Sequence, residues 1–248
     1  MDGKSICIVG ACKNAQDHLP DVLKNLDTVA SWWKEAKIVI FENDSTDKTS
    51  EMLHAWVAEK GGHREIVQET RLHERITGRT TRLAHIRNRL MYHVPTWFDY
   101  VFMVDLDDVF CAPVQKESFE SCFRLDNWDV MTAIGHAGYY DVWALRVPGL
   151  IESDCWQDVY RLRNSGMSNE EAVDTAINKC NRFMNAVTEP IVVHSAFNVG
   201  MLMKVSSLHP CCRYSGNVNG WEICEHVPFQ TCLRSHGARI LFNPDFKL

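Results

Sequence analysis

Along the first half of the chain, short β-branched apolar runs alternate with segments whose apolar residues recur at helical spacing. SICIVGAC (5–12) predicts a buried strand. In 15–36, Leu19, Val22, Leu23, Leu26, Val29 and Trp33 share one helical face. KIVIFEND (37–44) predicts a second buried strand that ends in acid. The segment 45–62 opens with Ser45, Thr46 and Asp47 as capping groups and stops at Gly61-Gly62, which frames a second helix. REIVQET (64–70) is a third strand, 78–94 an amphipathic helix with Leu83, Ile86 and Leu90 inward, and DYVFMVDLDD (99–108) a fourth strand.

Such alternation predicts βαβ units, hence an α/β fold with a mixed, mainly parallel sheet flanked by helices. Sheets of this kind gather ligand groups at the carboxyl ends of their strands. Two strands here end in acids: Glu42 and Asp44 after one, Asp105 and Asp107 after the other. The second half is less regular. WDVMTAIG (128–135) and YYDVWALR (139–146) predict strands, close enough in sequence to pair as a hairpin, and 169–187 a helix. One or two strands are expected in 189–208 and a last one in 238–244. No linker divides the chain, so one domain spans 1–248. Its first half, 1–110, would be the nucleotide side and 111–248 the acceptor side.

The stretch VFMVDLDD (101–108) carries the clearest chemistry. Residues two apart on a strand face one side, so Asp105 and Asp107 aim at one point while Asp108 begins the turn. Two converging carboxylates repel unless a cation sits between them. Mg²⁺ or Mn²⁺ suits oxygen ligands and bridges phosphates. Read plainly, the same acids are solvated turn residues at a strand end. Arg75, Arg79 and Arg82 precede or open the third helix, where guanidinium groups reach a diphosphate or merely form a solvated basic face.

The 248 residues are 46% hydrophobic and 23% charged, an ordinary globular balance, and the net charge of −6 argues against a general nucleic-acid binder. No run approaches the length of a membrane span, and no leader-like apolar stretch precedes the first strand, so the expected location is cytoplasmic. Ten cysteines without a CxxC pair are expected to be reduced and mostly buried. A zinc site drawing on His209-Pro210-Cys211-Cys212 with Cys224, His226, Cys232 and His236 is a second reading, although its spacing fits no standard pattern.

Taken in order, IVGACKNAQDHLPDVLKNL, VIFENDSTDKT, RTTRLAHIRNRLM and VDLDD resemble successive parts of the GT-A fold of nucleotide-sugar-dependent glycosyltransferases. YYDVWALR, FNVG and CEHVPF are similar, more narrowly, to fungal capsule-associated mannosyltransferases and sugar transferases of large DNA viruses. The resemblance implies transfer of a sugar from a UDP- or GDP-sugar to an acceptor hydroxyl on a glycan or glycoprotein, with Mn²⁺ or Mg²⁺ on Asp105 and Asp107. It implies base or ribose contacts from Glu42, Asn43 or Asp44 and from the Ala11 backbone, and phosphate contacts from Arg79 or Arg82. The turn Glu42-Asn43-Asp44-Ser45 departs from the usual Asp-Asp-Gly-Ser, and Asp44 also reads as a cap for the following helix.

Glu225 stands where the resembling families carry an acid, so it is the expected acceptor base of an inverting enzyme, with Glu222 and Asp141 as competitors. His194, His226 and His236 are candidates for a third metal ligand or a phosphate contact, or are structural. Tyr140, Trp143 and Trp221 either stack on an acceptor sugar or pack in the core. Two other functions share these features. A nucleotidyltransferase would usually carry a glycine-rich basic loop after the first strand, whereas GACKNAQDH has one Gly. A non-catalytic sugar-nucleotide or glycan-binding module would not need the metal.

Overall fold

The computed structural model describes Met1 and residues 3–248. The strands β1 (Ser5–Cys12), β2 (Glu35–Asn43), β3 (Arg64–Glu69) and β4 (Tyr100–Asp105) are separated by α1 (Leu19–Ser31), α2 (Thr49–Lys60), the short α3 (Leu72–Arg75) and α4 (Arg79–Tyr92). Then come α5 (Lys116–Cys122), β5 (Val130–Ile134), α6 (Cys155–Asn164), α7 (Asn169–Val173) and α8 (Lys179–Asn185), with a π-turn joining the last two. The chain closes through β6 (Ile191–Val192), β7 (Gly200–Lys204), the ribbon of β8 (Asn217–Val218) and β9 (Trp221–Glu222), α9 (His226–Ser235) and β10 (Ile240–Lys247). α1 begins at Leu19, the first residue of its apolar pattern, with Pro20, which has no N–H to donate, in its first turn.

Eight strands form one sheet in the order β3-β2-β1-β4-β7-β5-β10-β6. β1, β2, β3 and β4 run parallel, β7 lies antiparallel between β4 and β5, β10 is parallel to β5, and β6 is antiparallel to β10. Both faces are covered, which is why the central strands read as continuous apolar runs. Alternate residues serve opposite layers. Val9, Phe41, Val101 and Met103 meet Ala84, Ile86 and Leu90 of α4 and Phe229 and Leu233 of α9. Ile8, Ile40, Phe102 and Val104 meet Leu19, Val22 and Leu26 of α1 and Trp56 of α2. Each such side chain contributes about 1.5–3 kcal/mol when fully buried. At Gly10 a Cβ would lie 2.5 Å from the Val104 carbonyl oxygen, so only glycine lets β1 approach the end of β4.

Three expectations are corrected. The segment 139–146 is not a strand and forms no hairpin with β5. Asn198 Oδ1 accepts from the Tyr140 and Asp141 amides and Asn185 Oδ1 from the Tyr139 amide, so side chains take the N–H groups a ladder would need. Asp141 then caps a 3₁₀ turn, Val142–Ala144. The helices α5, α6 and α9 were not anticipated. Finally, Cys212 and Cys232 form a disulfide that joins the loop after β7 to α9, while the other eight cysteines are free. Among these, burial pushes the Cys7 and Cys12 thiols up to about 12. Among the described residues no helix is long and apolar enough to cross a membrane.

Candidate active site

Strand alternation sets the centre of the site. Val101 and Met103 face α4 and α9, so Asp105, two residues on, emerges on that same side. Leu106 turns into the opposite layer, and Asp107 caps the 3₁₀ turn Asp108–Phe110 through Val109 N. Asp105 and Asp107 both line a cleft of about 490 Å³, together with Arg79, Arg87, Asp141 and Glu225. β4, α4, the 140–143 turn and the start of α9 therefore deliver acids and arginines to one place.

Arg87 organises this cleft. It is 7% exposed; its Nε donates to Glu225 Oε1 at 2.8 Å and its Nη2 to Asp105 Oδ1 at 3.2 Å. Its carbon Cζ lies 4.9 Å from the centre of the Phe197 ring. Burial works against the charged guanidinium, yet the Asp105 and Glu225 carboxylates together hold its proton above the ordinary range. Burial raises Asp105 to about 6; Arg87 opposes the shift, and Asp107 and Glu225 add to it. Burial also raises Asp141 to about 6, against the hydrogen bond from Ala144 N. For Asp107 the shift is likewise upward, from burial first.

His226 stacks on Phe197 with ring centres 3.8 Å apart, and neither ring nitrogen has a hydrogen-bond partner. Its Nε2 lies 3.6 Å from Glu225 Oε1. Burial, then Arg87, lowers its pKa far below the usual histidine range, so the ring is neutral.

The structure sorts the expected site residues. Asp105, Asp107, Arg79 and Glu225 share the cleft, and Arg79 has no hydrogen-bond partner among the described residues. Arg82 instead donates to the carbonyls of Ile76 and Thr77, which fixes the loop before α4. Glu42, Asn43 and Asp44 sit at the end of β2, and Ala11 is paired between Phe41 and Asp105. These four residues border the same edge of the sheet without lining the cleft. Glu42 accepts from Ser45 N and Gln68 Nε2, and Asn43 Nδ2 donates to Asp44 Oδ2. Asp44, at φ +55°, caps α3 through Leu72 N and His73 N rather than the helix that follows it. Asp47 instead accepts from Thr49 N in the first turn of α2.

Of the competing acids, Glu222 accepts from Thr80 Oγ1 at 2.9 Å and ties the β8–β9 ribbon to α4. Arg87 is a site residue that the sequence did not single out. Its one signal is a charge on the apolar face of an amphipathic helix, a turn from Leu83, Ala84 and Leu90. Beside the cleft runs a groove of about 650 Å³ that shares Trp143 and Trp156 with it and adds Tyr160 and Trp221. Trp156, Tyr160 and Trp221 are exposed, whereas Trp143 is anchored through Nε1 to Asp154.

Sheet order and flanking helices give a mixed α/β fold of the GT-A type. A mannosyltransferase from Pyrobaculum calidifontis, solved with GDP-Man and Mn²⁺, matches 98% of this chain with a TM-score of 0.54 and 13% identity. The S. aureus TarS structure, residues 1–349, matches 97% with a TM-score of 0.52 and 14% identity. The chain covers only 55% and 58% of those structures' lengths. No protein-family model matches the sequence, and no curated protein matches it significantly.

Proposed function

We propose that the protein is a metal-dependent glycosyltransferase that moves a sugar from a nucleoside diphosphate sugar to an acceptor hydroxyl. The observation that carries this reading is the convergence of Asp105 and Asp107 with Arg79 and Asp141 in one cleft at the carboxyl end of the sheet. The likeness in fold to a mannosyltransferase bound to GDP-Man and Mn²⁺ supports it. The narrower kinship with capsule-associated and viral sugar transferases belongs to the same proposal.

Asp105 and Asp107 suit Mn²⁺ or Mg²⁺. They offer hard oxygen donors to one cleft, and Asp105 keeps Oδ2 free of Arg87. The unpartnered nitrogens of buried His226 leave a further donor in the cleft wall. A divalent ion bound there would neutralise charge on the departing diphosphate. Arg79, exposed at the start of α4, pairs with the phosphates. Glu42, Asn43 and Asp44 keep lone pairs beyond their structural hydrogen bonds and face the nucleoside with the Ala11 backbone.

For an inverting transfer, Asp141 has the character of the acceptor base. Among the described residues its carboxylate accepts only from Ala144 N, and its pKa near 6 lets it take a proton at neutral pH. Glu225 holds Arg87 and, through it, the orientation of Asp105. The aromatic groove beside the cleft receives the acceptor, and its indole and phenol faces match the apolar faces of a glycan. A thermal-shift and hydrolysis panel with GDP- and UDP-sugars, each with Mn²⁺, Mg²⁺ or EDTA, tests the reading. Metal-dependent stabilisation by one nucleotide with release of its diphosphate is expected. No response to any nucleotide with either metal would reject it in favour of a binding module.

A further inference from the structure

Away from the cleft, His209, Cys211, Cys212 and His236 bring their ligand atoms within 4.8 Å of one another. The first three lie in the loop that follows β7, and His236 ends α9. Cys211 Sγ is 3.0 Å from His209 Nδ1 and 3.2 Å from His236 Nε2. The two imidazoles stack with centres 3.6 Å apart and planes 4° from parallel. Cys211 N also approaches His209 Nδ1, at 3.4 Å, so that nitrogen presents a lone pair rather than a proton. One sulfur thus meets two imidazole nitrogens at once, the kind of crowding of donor atoms that surrounds a bound cation.

A soft cation resolves that arrangement. Zn²⁺ takes two sulfurs and two imidazole nitrogens tetrahedrally at about 2.3 and 2.0–2.1 Å, which sets neighbouring ligand atoms roughly 3.3–3.8 Å apart. The contacts around Cys211 are near that spacing. The fourth donor, Cys212, is held in the disulfide with Cys232, whose Sγ is 3.8 Å from Cys211 Sγ. We propose that His209, Cys211, Cys212 and His236 bind one Zn²⁺ once the Cys212–Cys232 disulfide is reduced.

The balance is simple. A dithiol reductant gives two electrons and two protons to the S–S bond and itself becomes a disulfide, leaving Cys212 and Cys232 as thiols. Zinc then displaces the protons of Cys211 and Cys212 to water, so two thiolates neutralise the ion and Cys232 stays protonated. Disulfide and zinc are thus alternative clasps between the loop and α9. Because α9 begins directly after Glu225, either one anchors the far end of the element that carries that residue.

The full chain is tested in oxidised form, in reduced form and as Cys232→Ser, which cannot close the disulfide. After incubation with Zn²⁺ and gel filtration, elemental analysis should find about one strongly held Zn²⁺ in the reduced wild type. Cys232→Ser should hold the same amount without any reductant, and the oxidised wild type far less. Co²⁺ substitution should give the intense visible bands of a tetrahedral site and thiolate-to-cobalt charge transfer, which binding at Asp105 and Asp107 cannot produce. Cys211→Ser, at an exposed residue outside the disulfide, and His236→Ala should lose both signals while keeping their circular dichroism. Absence of zinc and of the charge-transfer band from both reduced wild type and Cys232→Ser would overturn the proposal. So would their persistence in Cys211→Ser.

Discussion

Arg87 and Glu225, 138 residues apart, form a buried ion pair at 2.8 Å between the middle of α4 and the start of α9. Neither is useful alone in that position. Arg87→Met leaves a carboxylate without its counter-charge and should destabilise the fold by about 3–5 kcal/mol. In the double variant Arg87→Met/Glu225→Gln the Glu225 charge is gone and only Asp105 still lacks its counter-charge, so part of that loss should be recovered. Urea denaturation of the four species of this cycle measures the coupling. Strict additivity would mean that the pair does not hold the cleft together.

Asp141 should govern a pH dependence. Its folded pKa, raised by burial to about 6, exceeds the ordinary aspartate value of 3.8, so the fold favours its protonated form. That stabilisation is complete below pH 3.8 and lost as pH rises through about 6. Asp141→Asn, which keeps an acceptor for Ala144 N, should therefore gain stability over the wild type between about pH 4 and 7. The gain is at most about 3 kcal/mol. The same variant should abolish transfer, while wild-type transfer rises with pH through about 6. Melting curves and rates across this range read both effects.

The loop before β8 lies against the first turn of α4. A Cβ on Gly216 would collide with the Thr80 carbonyl group and the Thr81 amide, and the Gly216 carbonyl accepts from Thr80 Oγ1 at 2.8 Å. Gly216→Ala must push α4 away and carry Arg79 and Arg87 with it. A loss of about 1–3 kcal/mol is expected, with weaker nucleotide binding. Thermal denaturation and nucleotide titration of the variant check the two consequences together.

Tyr160 and Trp221 line the groove but not the cleft. Tyr160→Ala and Trp221→Ala should raise the acceptor KM several-fold, in keeping with about 0.5–1.5 kcal/mol for each lost aromatic contact. Donor hydrolysis without acceptor should not change. A fall in donor hydrolysis equal to the fall in transfer would place these residues on the wrong subsite.

The first half of the chain was legible because β1, β2 and β4 are buried on both faces and helices cover them in strict succession. Asp105 and Asp107 share the cleft that strand alternation pointed to, although β4 ends at Asp105 and Asp107 arrives through the following 3₁₀ turn. YYDVWALR misled because its aromatic and β-branched residues have strand character, whereas Asn185 and Asn198, distant in sequence, claim its amides. Arg87 did not stand out for a similar reason, since its burial depends on a carboxylate 138 residues away. The Cys212–Cys232 bridge, at a sequence separation of 20, runs across loop, ribbon and the first turns of α9 with no local pattern to announce it.

Calorimetric titration of GDP and UDP into the wild type and Asp107→Asn, each with Mn²⁺ or with EDTA, tests the metal-carrying role of the β4 acids most directly. Asparagine preserves the cap on Val109 N, so the fold should survive. One nucleotide should bind the wild type at least about tenfold more tightly with Mn²⁺, a difference of about 1.4 kcal/mol, and Asp107→Asn should erase that advantage. Equal affinity with and without the metal, or an advantage untouched in Asp107→Asn, would mean that these carboxylates do not bring a cation to the diphosphate.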